Sequence, residues 1–210
     1  MNKYIYRLCY YKKGNLKYVS FKDFSQFLIR ALRRTSIPVL YSQGFNPQPL
    51  LSFSIPVPVG VESRREWLDI SLYEKVPEDF ILREWNKELT PDVQFYECYF
   101  LGNSKNSLKV KHIKYEMELF HPSLELLYND LKEFYLRHTF NILVRRGERI
   151  KEIDLRKYLE NLNIENKENV IINVLVKVID GGLIRGEEIL EIFSYKPLII
   201  NQIRELLIDV

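Results

Sequence analysis

The stretch SFKDFSQFLIRALRRTSIPVLYSQGFNPQP, residues 20–49, predicts an amphipathic helix followed by a shaped loop. Apolar side chains recur at i, i+3, i+4, i+7 and i+8, which predicts one buried helical stripe: Phe24, Phe27, Leu28, Ala31 and Leu32. Ser20, placed three residues before Asp23, resembles a helix cap, and Pro38 helps to end the helix.

The loop Tyr41–Pro49 contains a Gly, an Asn and two Pro within six residues, so it continues neither a helix nor a central strand. Loops held beside basic helices often carry binding residues. We therefore predict a binding surface made by the helix and the loop together. Its residues are Lys22, Arg30, Arg33, Arg34, Gln43, Gly44, Phe45 and Asn46.

Outside this stretch, strand and helix patterns alternate along the chain. Residues 4–11, 66–73 and 93–101 predict strands, and residues 77–89 predict a second helix. The second half repeats this order more loosely, with a final segment, 199–208, of uncertain type. We predict an α+β fold of two tandem ferredoxin-like (βαββαβ) modules with antiparallel sheets, spanning residues 1–103 and 108–210.

The charge of the chain is distributed unevenly. Of its 210 residues, 31 are Lys or Arg and 28 are Asp or Glu, a net charge of +3. Residues 1–50 nevertheless contain nine Lys or Arg and a single acid, Asp23. This excess favours a polyanionic or acidic partner, and the alternative is a solvated basic face without a partner.

Two further features leave alternatives open. Arg145, Arg146 and Arg149 form a second basic cluster at a turn, with Lys151 and Arg156 close by. Asp154 is expected to pair with Arg156 or with an arginine of the first half. Phosphate contacts and surface ion pairs are equally compatible with this cluster. The segment Gly181–Gly186 is interpreted as a plain turn in preference to a phosphate-binding loop.

The first strand is rich in tyrosine. Tyr4, Tyr6 and Tyr10 share one face of it, and exposed aromatics on such sheets stack single-stranded bases. The RNP pattern of RNA-recognition folds is missing, and a core role for these tyrosines is favoured.

Metal, cofactor and catalytic motifs are missing from the sequence. Two cysteines, Cys9 and Cys98, and three histidines, His112, His121 and His138, lack metal-ligand spacing, and neither a P-loop nor GxGxxG occurs. The sequence contains no apolar run of about 20 residues, and we expect no signal peptide. We expect a cytoplasmic, non-catalytic protein without a metal or cofactor.

Three segments of the chain together form a specific pattern: Arg30–Arg34, Tyr41–Pro49 and Trp67–Ile70. Through these segments the chain resembles the domain-of-unknown-function family associated with radical-SAM proteins. Such domains occur at the C-terminal end of cobalamin-binding radical-SAM proteins or beside them as separate chains. The resemblance implies a stand-alone companion of a radical-SAM enzyme, which itself acts on RNA or near the ribosome, with tRNA or rRNA as the expected partner. Phe21, Ile29, Gln48 and Leu50 stand where the family usually has His, Glu, His and Lys.

Three functions follow from these features. The first is a non-catalytic RNA-binding or substrate-presenting module. The second is a protein-interaction module that docks on a separately encoded radical-SAM protein. The third, least favoured, is a metal-independent endoribonuclease of the kind that processes CRISPR RNA.

Overall fold

The computed structural model describes residues 3–103, 108–120 and 123–208. Its chain divides into two compact units, Met1–Val110 with Ile208–Val210, and Lys111–Leu207. Four residues of the predicted linker, 104–107, and the candidate His121 lie outside the described residues. Within the described residues, no helix is long and apolar enough to cross a membrane.

The first unit is an antiparallel sheet with two helices. Its elements are β1 (Tyr4–Lys12), α1 (Phe21–Leu32), β2 (Leu51–Phe53), β3 (Glu62–Leu72), α2 (Glu78–Asn86) and β4 (Val93–Gly102). β1 lies between β3 and β4, and β2 pairs with the other side of β3. Tyr4 lies opposite Leu72 and Leu8 opposite Leu68 in the β1–β3 register.

Helix α1 forms as its sequence predicts. Phe24, Leu28, Ala31 and Leu32 are buried, and Phe27 packs against the same core. The Ser20 hydroxyl oxygen accepts a hydrogen bond from the backbone N–H of Asp23 at 3.2 Å, which satisfies one of the free donors at the helix start. The apolar stripe thus fixes the opposite face of α1 toward solvent.

The three tyrosines on the predicted face of β1, Tyr4, Tyr6 and Tyr10, belong to or pack against the core. Tyr6 and Tyr10 are buried with Phe24 and Trp85, and the Tyr6 hydroxyl donates to the carbonyl of Val76 at 2.7 Å. The opposite face of β1 is also buried, since Arg7 and its neighbours of the same face are at most 3% exposed. The core interpretation is correct, and Tyr6 and Tyr10 have no free ring face on which bases could stack.

The second unit contains a four-stranded sheet and a separate hairpin. Its elements are β5 (Val110–Phe120), α3 (Leu124–Leu136), β6 (Asn141–Arg146), β7 (Arg149–Asp154), α4 (Leu155–Tyr158), β8 (Leu159–Asn166), β9 (Val170–Lys177), α5 (Gly186–Ile189) and β10 (Leu198–Ile208). The sheet order is β10-β5-β9-β8, and β6 and β7 pair only with each other. The segment of uncertain type is therefore a strand, β10.

The fold is mixed α/β, mostly strand, with largely antiparallel pairing. The strand pairing also includes a parallel pair, so the expectation of purely antiparallel sheets is only partly correct. Two neighbouring parallel strands cannot be joined by a tight hairpin, so no turn motif in the sequence predicts that they pair.

Candidate binding surface

The predicted loop is a narrow projection with a hydrogen-bonded neck. Tyr41 and Pro49 form an antiparallel bridge at its base. Above it, the Ser42 N–H donates to the Gln48 carbonyl at 2.8 Å, and the Gln48 N–H donates to the Ser42 hydroxyl at 3.0 Å. Gly44 has a φ of 125°, a conformation that side chains rarely adopt. These contacts give the loop a defined shape without help from a ligand.

The tip of the loop places an aromatic ring in solvent. Phe45 has a relative exposure of 111%, as much as an isolated residue. Gln43, Gly44 and Asn46 beside it are also exposed. A fully exposed Phe contributes nothing to folding, because its apolar area stays in water.

Arg33 connects helix α1 to the loop. Its guanidinium donates to the Gln48 side-chain oxygen at 2.9 Å and to the Pro47 carbonyl at 3.4 Å. Gln48 in turn donates to the Asn46 side chain at 3.2 Å. Gln48, one of the residues that departs from the family pattern, therefore supports the loop from within.

The other three helix cations differ in their surroundings. Lys22 and Arg30 are exposed, and their side chains make no hydrogen bond or ion pair with the described residues. Arg34 donates to the Glu88 carboxylate at 2.5 Å and to the Glu88 carbonyl at 3.2 Å. Lys22 and Arg30 are thus available to a ligand, whereas Arg34 holds α1 to the chain that follows α2.

Much of the N-terminal positive charge is neutralised inside the first unit. Arg7 forms a two-pronged pair with Asp69, at 2.8 and 3.1 Å, with both side chains at most 4% exposed. Lys12, 1% exposed, donates to the Val19 carbonyl at 3.1 Å. Lys17 pairs with Glu62 at 3.3 Å. The cationic surface is therefore smaller than the number of Lys and Arg in residues 1–50 predicts. Lys12 is buried, and the acidic partners of Arg7 and Lys17 come later in the chain.

The second basic cluster is divided between the two faces of the β6–β7 hairpin. Residues opposite each other in an antiparallel pair share a face, so Arg146 and Arg149 lie on one side and Arg145 on the other. Arg146 pairs with Glu188 and donates to the Leu183 carbonyl at 3.0 Å. The hydrogen bonds that Arg146 donates to the Glu188 carboxylate raise the pKa of Arg146. Arg146 is thus held inside the unit, while Arg145 is exposed.

Asp154 and Arg156 have local structural roles. The Asp154 carboxylate accepts the backbone N–H groups of Phe140 and Arg156, at 2.9 and 3.1 Å, and so caps α4. The Arg156 guanidinium lies over the rings of Phe134 and Tyr135, at 5.0 and 5.3 Å from their centroids. We expected Asp154 to pair with an arginine side chain, but its carboxylate accepts backbone N–H groups instead.

An aromatic and cationic cluster on the first unit escaped sequence reasoning. Tyr11 stacks on Tyr96 at 6.3 Å, Lys13 lies 4.9 Å from the Tyr11 ring, and Arg65 lies 6.0 Å from the Trp67 ring. Tyr96 and Tyr99 are 40% and 37% exposed. The Tyr11–Tyr96 stack joins strands that are far apart in sequence, so no local motif predicts it.

Cys9 lies beneath this cluster and donates to the Tyr96 hydroxyl at 3.0 Å. Burial raises the pKa of the Cys9 thiol to about 12, and burial also raises the pKa of Tyr96. Cys98 has its pKa raised to about 12 for the same reason. Neither thiol is a reactive thiolate at neutral pH.

The histidines within the described residues do not form a pair. His112 lies 3.1 Å from the Glu160 carboxylate, and His138 is exposed on the chain after α3. Across residues 3–103, 108–120 and 123–208, no group of three or more His, Cys, Asp or Glu is arranged to hold a metal ion.

Comparison with known proteins places the chain in a family. Its residues 5–186 match the model of a family described as an uncharacterised protein conserved in bacteria, DUF2344. The search of curated proteins found no match. The matched range includes α1, the Tyr41–Pro49 loop and the β6–β7 hairpin. The chain therefore belongs to the DUF2344 family of uncharacterised proteins conserved in bacteria.

Proposed function

We propose that the chain is a non-catalytic RNA-binding module, and that single-stranded RNA lies across the α1–loop surface. This surface comprises Lys22, Arg30 and the loop tip Gln43–Asn46. The observation that carries the proposal is the fully exposed Phe45 ring on a loop held in shape by its neck and by Arg33.

Phe45 supplies the stacking platform. Base–aromatic stacking contributes about 1–3 kcal/mol per base and tolerates every base, because each has a π-face. The loop is hydrogen-bonded at its neck, so little conformational entropy is lost when a base stacks on its tip. The exposed Asn46 and Gln43 amides offer donors and acceptors to the base edge.

Lys22 and Arg30 supply the phosphate contacts. They are eight residues apart on one helix, which separates them by about 12 Å along its axis, so they contact different phosphates. Arg30 precedes Arg33 by three residues and is therefore its neighbour on the helix surface. A single-stranded RNA that contacts both Lys22 and Arg30 therefore runs along α1 toward the loop that Arg33 supports.

The strand orders also favour two ferredoxin-like modules, which we retain as a proposal. In the first unit β3 lies next to both β1 and β2, and in the second unit β9 lies next to both β5 and β8. In the split βαβ arrangement of a ferredoxin-like module, the third strand of the module lies between its first and second strands. Short α5 and the inserted β6–β7 hairpin are the main irregularities of the second unit.

The charge contribution is tested by the salt dependence of RNA binding. Fluorescence anisotropy with a labelled single-stranded RNA compares the wild type with Lys22→Ala/Arg30→Ala. Loss of two phosphate contacts should weaken binding and reduce the slope of log K against log salt by about 1.4. Lys109→Ala removes an exposed lysine outside α1 and is the matched control. Unchanged affinity and slope in the double variant would rule out this surface.

A second candidate is a docking module for a separately encoded radical-SAM protein, which the family resemblance implies. The specific observation in its favour is again Phe45, since exposed aromatic anchors that fill a partner's pocket dominate many interfaces. A pull-down from nuclease-treated extract distinguishes the two. Recovery of a radical-SAM protein by the wild type but not by Phe45→Ala supports docking, and failure to recover one counts against it.

A further inference from the structure

The second unit contains a cavity that the RNA-binding proposal does not use. It has a volume of about 380 Å³, and eight residues from the β6–β7 hairpin, α4 and the turn after β9 line it. These are Val144, Arg146, Lys151, Ile153, Tyr158, Gly181, Gly182 and Leu183. The volume falls within the range of small-molecule sites, roughly 300–1,000 Å³.

We propose that this hairpin cavity binds a small organic anion, with a carboxylate or phosphate group at one end and an apolar body at the other. The body would lie against Val144, Ile153 and Leu183, three aliphatic side chains of the lining. The anionic group would lie against Lys151 and Tyr158. The inference is independent of RNA binding, which uses the first unit.

The donors in the cavity are available to a ligand. The Lys151 ammonium and the Tyr158 hydroxyl make no hydrogen bond or ion pair within the described part of the chain. Arg146 is already neutralised by Glu188, and none of the eight lining residues is acidic. The site therefore has one unmatched positive charge beside a free hydroxyl donor, which favours an anion over a neutral or cationic group.

The turn after β9 leaves room for the Tyr158 hydroxyl. Asp180 and Gly181 both have positive φ, 49° and 72°, and Gly182 closes the turn by pairing with Ile179. A Cβ on Gly182 would lie 3.0 Å from the Ile179 carbonyl oxygen and 3.1 Å from the Tyr158 hydroxyl. Glycine at this position thus allows the hydroxyl to approach the turn closely.

The hairpin register explains why only some of the local cations face the cavity. Val144 lies opposite Lys151 and Ile142 opposite Ile153, so these four side chains share one face. Leu143, Arg145 and Ile150 occupy the other face, where Leu143 and Ile150 are 72% and 66% exposed. Because of this alternation, the hairpin face that lines the cavity carries the aliphatic side chains of Val144 and Ile153 and the cationic side chain of Lys151.

The test uses two probes with the same apolar body, phenylbutyrate and phenylbutanol, in nitrogen–proton correlation NMR spectra of the full chain. Phenylbutyrate should give saturable shifts of the Lys151, Gly181 and Gly182 amides, and phenylbutanol should bind roughly 10-fold more weakly or worse. Titration with phenyl phosphate then shows which anionic group is preferred.

Lys151→Met keeps the aliphatic stem and removes the charge. It should weaken phenylbutyrate roughly 10-fold and leave phenylbutanol unchanged. Lys132→Met, at an exposed lysine of α3 outside the lining, is the control and should leave both probes unchanged. The proposal is overturned if no saturable shifts occur, if acid and alcohol bind equally, or if Lys151→Met retains full affinity for the acid.

Discussion

Replacing Asp69 by Ala should destabilise the first unit more than any loss of an exposed ion pair. The Arg7 and Asp69 side chains are at most 4% exposed and are joined at 2.8 and 3.1 Å. Asp69→Ala leaves a buried guanidinium without its carboxylate, and breaking such a pair costs about 3–5 kcal/mol. Against a typical stability of about 5–15 kcal/mol, this loss is large.

Urea unfolding followed by tryptophan fluorescence measures the effect. The chain has two tryptophans, and both Trp67 and Trp85 belong to the first unit, so the signal reports on that unit. With a denaturant slope of about 1–3 kcal/mol per molar, the midpoint should fall by roughly 2 M urea. Arg7→Met/Asp69→Leu, which removes both charges, should recover much of the loss.

A partly exposed pair of the same unit is the matched control. Lys17 and Glu62 are 17% and 22% exposed and meet at 3.3 Å. Glu62→Ala should cost under about 1 kcal/mol, as exposed pairs do. If Asp69→Ala costs no more than Glu62→Ala, the buried pair is not a structural element and the reasoning is refuted.

Three further outcomes are expected. Burial holds the pKa of Cys9 at about 12, above the unfolded value near 8.5, so its stabilisation is complete below about pH 8.5 and declines as pH rises toward 12. Between pH 8 and 9.5 the wild type should therefore lose about 1 kcal/mol more stability than Cys9→Ala in urea unfolding, and equal losses would contradict the assignment. Ser20→Ala should cost about 1 kcal/mol in the same assay by removing the cap of α1, whereas Ser25→Ala, inside the helix, should cost less. Arg33→Ala should leave global stability within about 0.5 kcal/mol but speed hydrogen exchange at Ser42 and Gln48, and unchanged exchange would show that the neck alone holds the loop.

Local patterns predicted the elements of this protein well. The apolar stripe of α1, its Ser20 cap and the strand pattern of residues 66–73 are all properties of short sequence windows. The shaped loop was predictable for the same reason, since Gly44 permits a positive φ and the prolines restrict the backbone directly. The type of the last segment, residues 199–208, was not predictable, because a run rich in Ile and Leu is compatible with either a strand or a helix.

The candidate binding surface depends on contacts between residues that are far apart in sequence, which no short stretch of sequence contains. Arg34 and Glu88 are 54 residues apart, and Arg7 and Asp69 are 62 apart. A count of charges in residues 1–50 therefore overestimated the cationic surface. The division of Arg145 from Arg146 follows from hairpin register, which depends on where the turn falls.

The most direct test of RNA binding is the affinity of Phe45→Ala for a labelled single-stranded RNA. Phe45 has no packing role, so the variant should fold with unchanged stability. We expect its dissociation constant to rise roughly 5- to 150-fold, with affinity retained by Phe45→Trp and by Tyr128→Ala, an exposed aromatic of the second unit. A Phe45→Ala protein that binds RNA as tightly as the wild type would contradict the account.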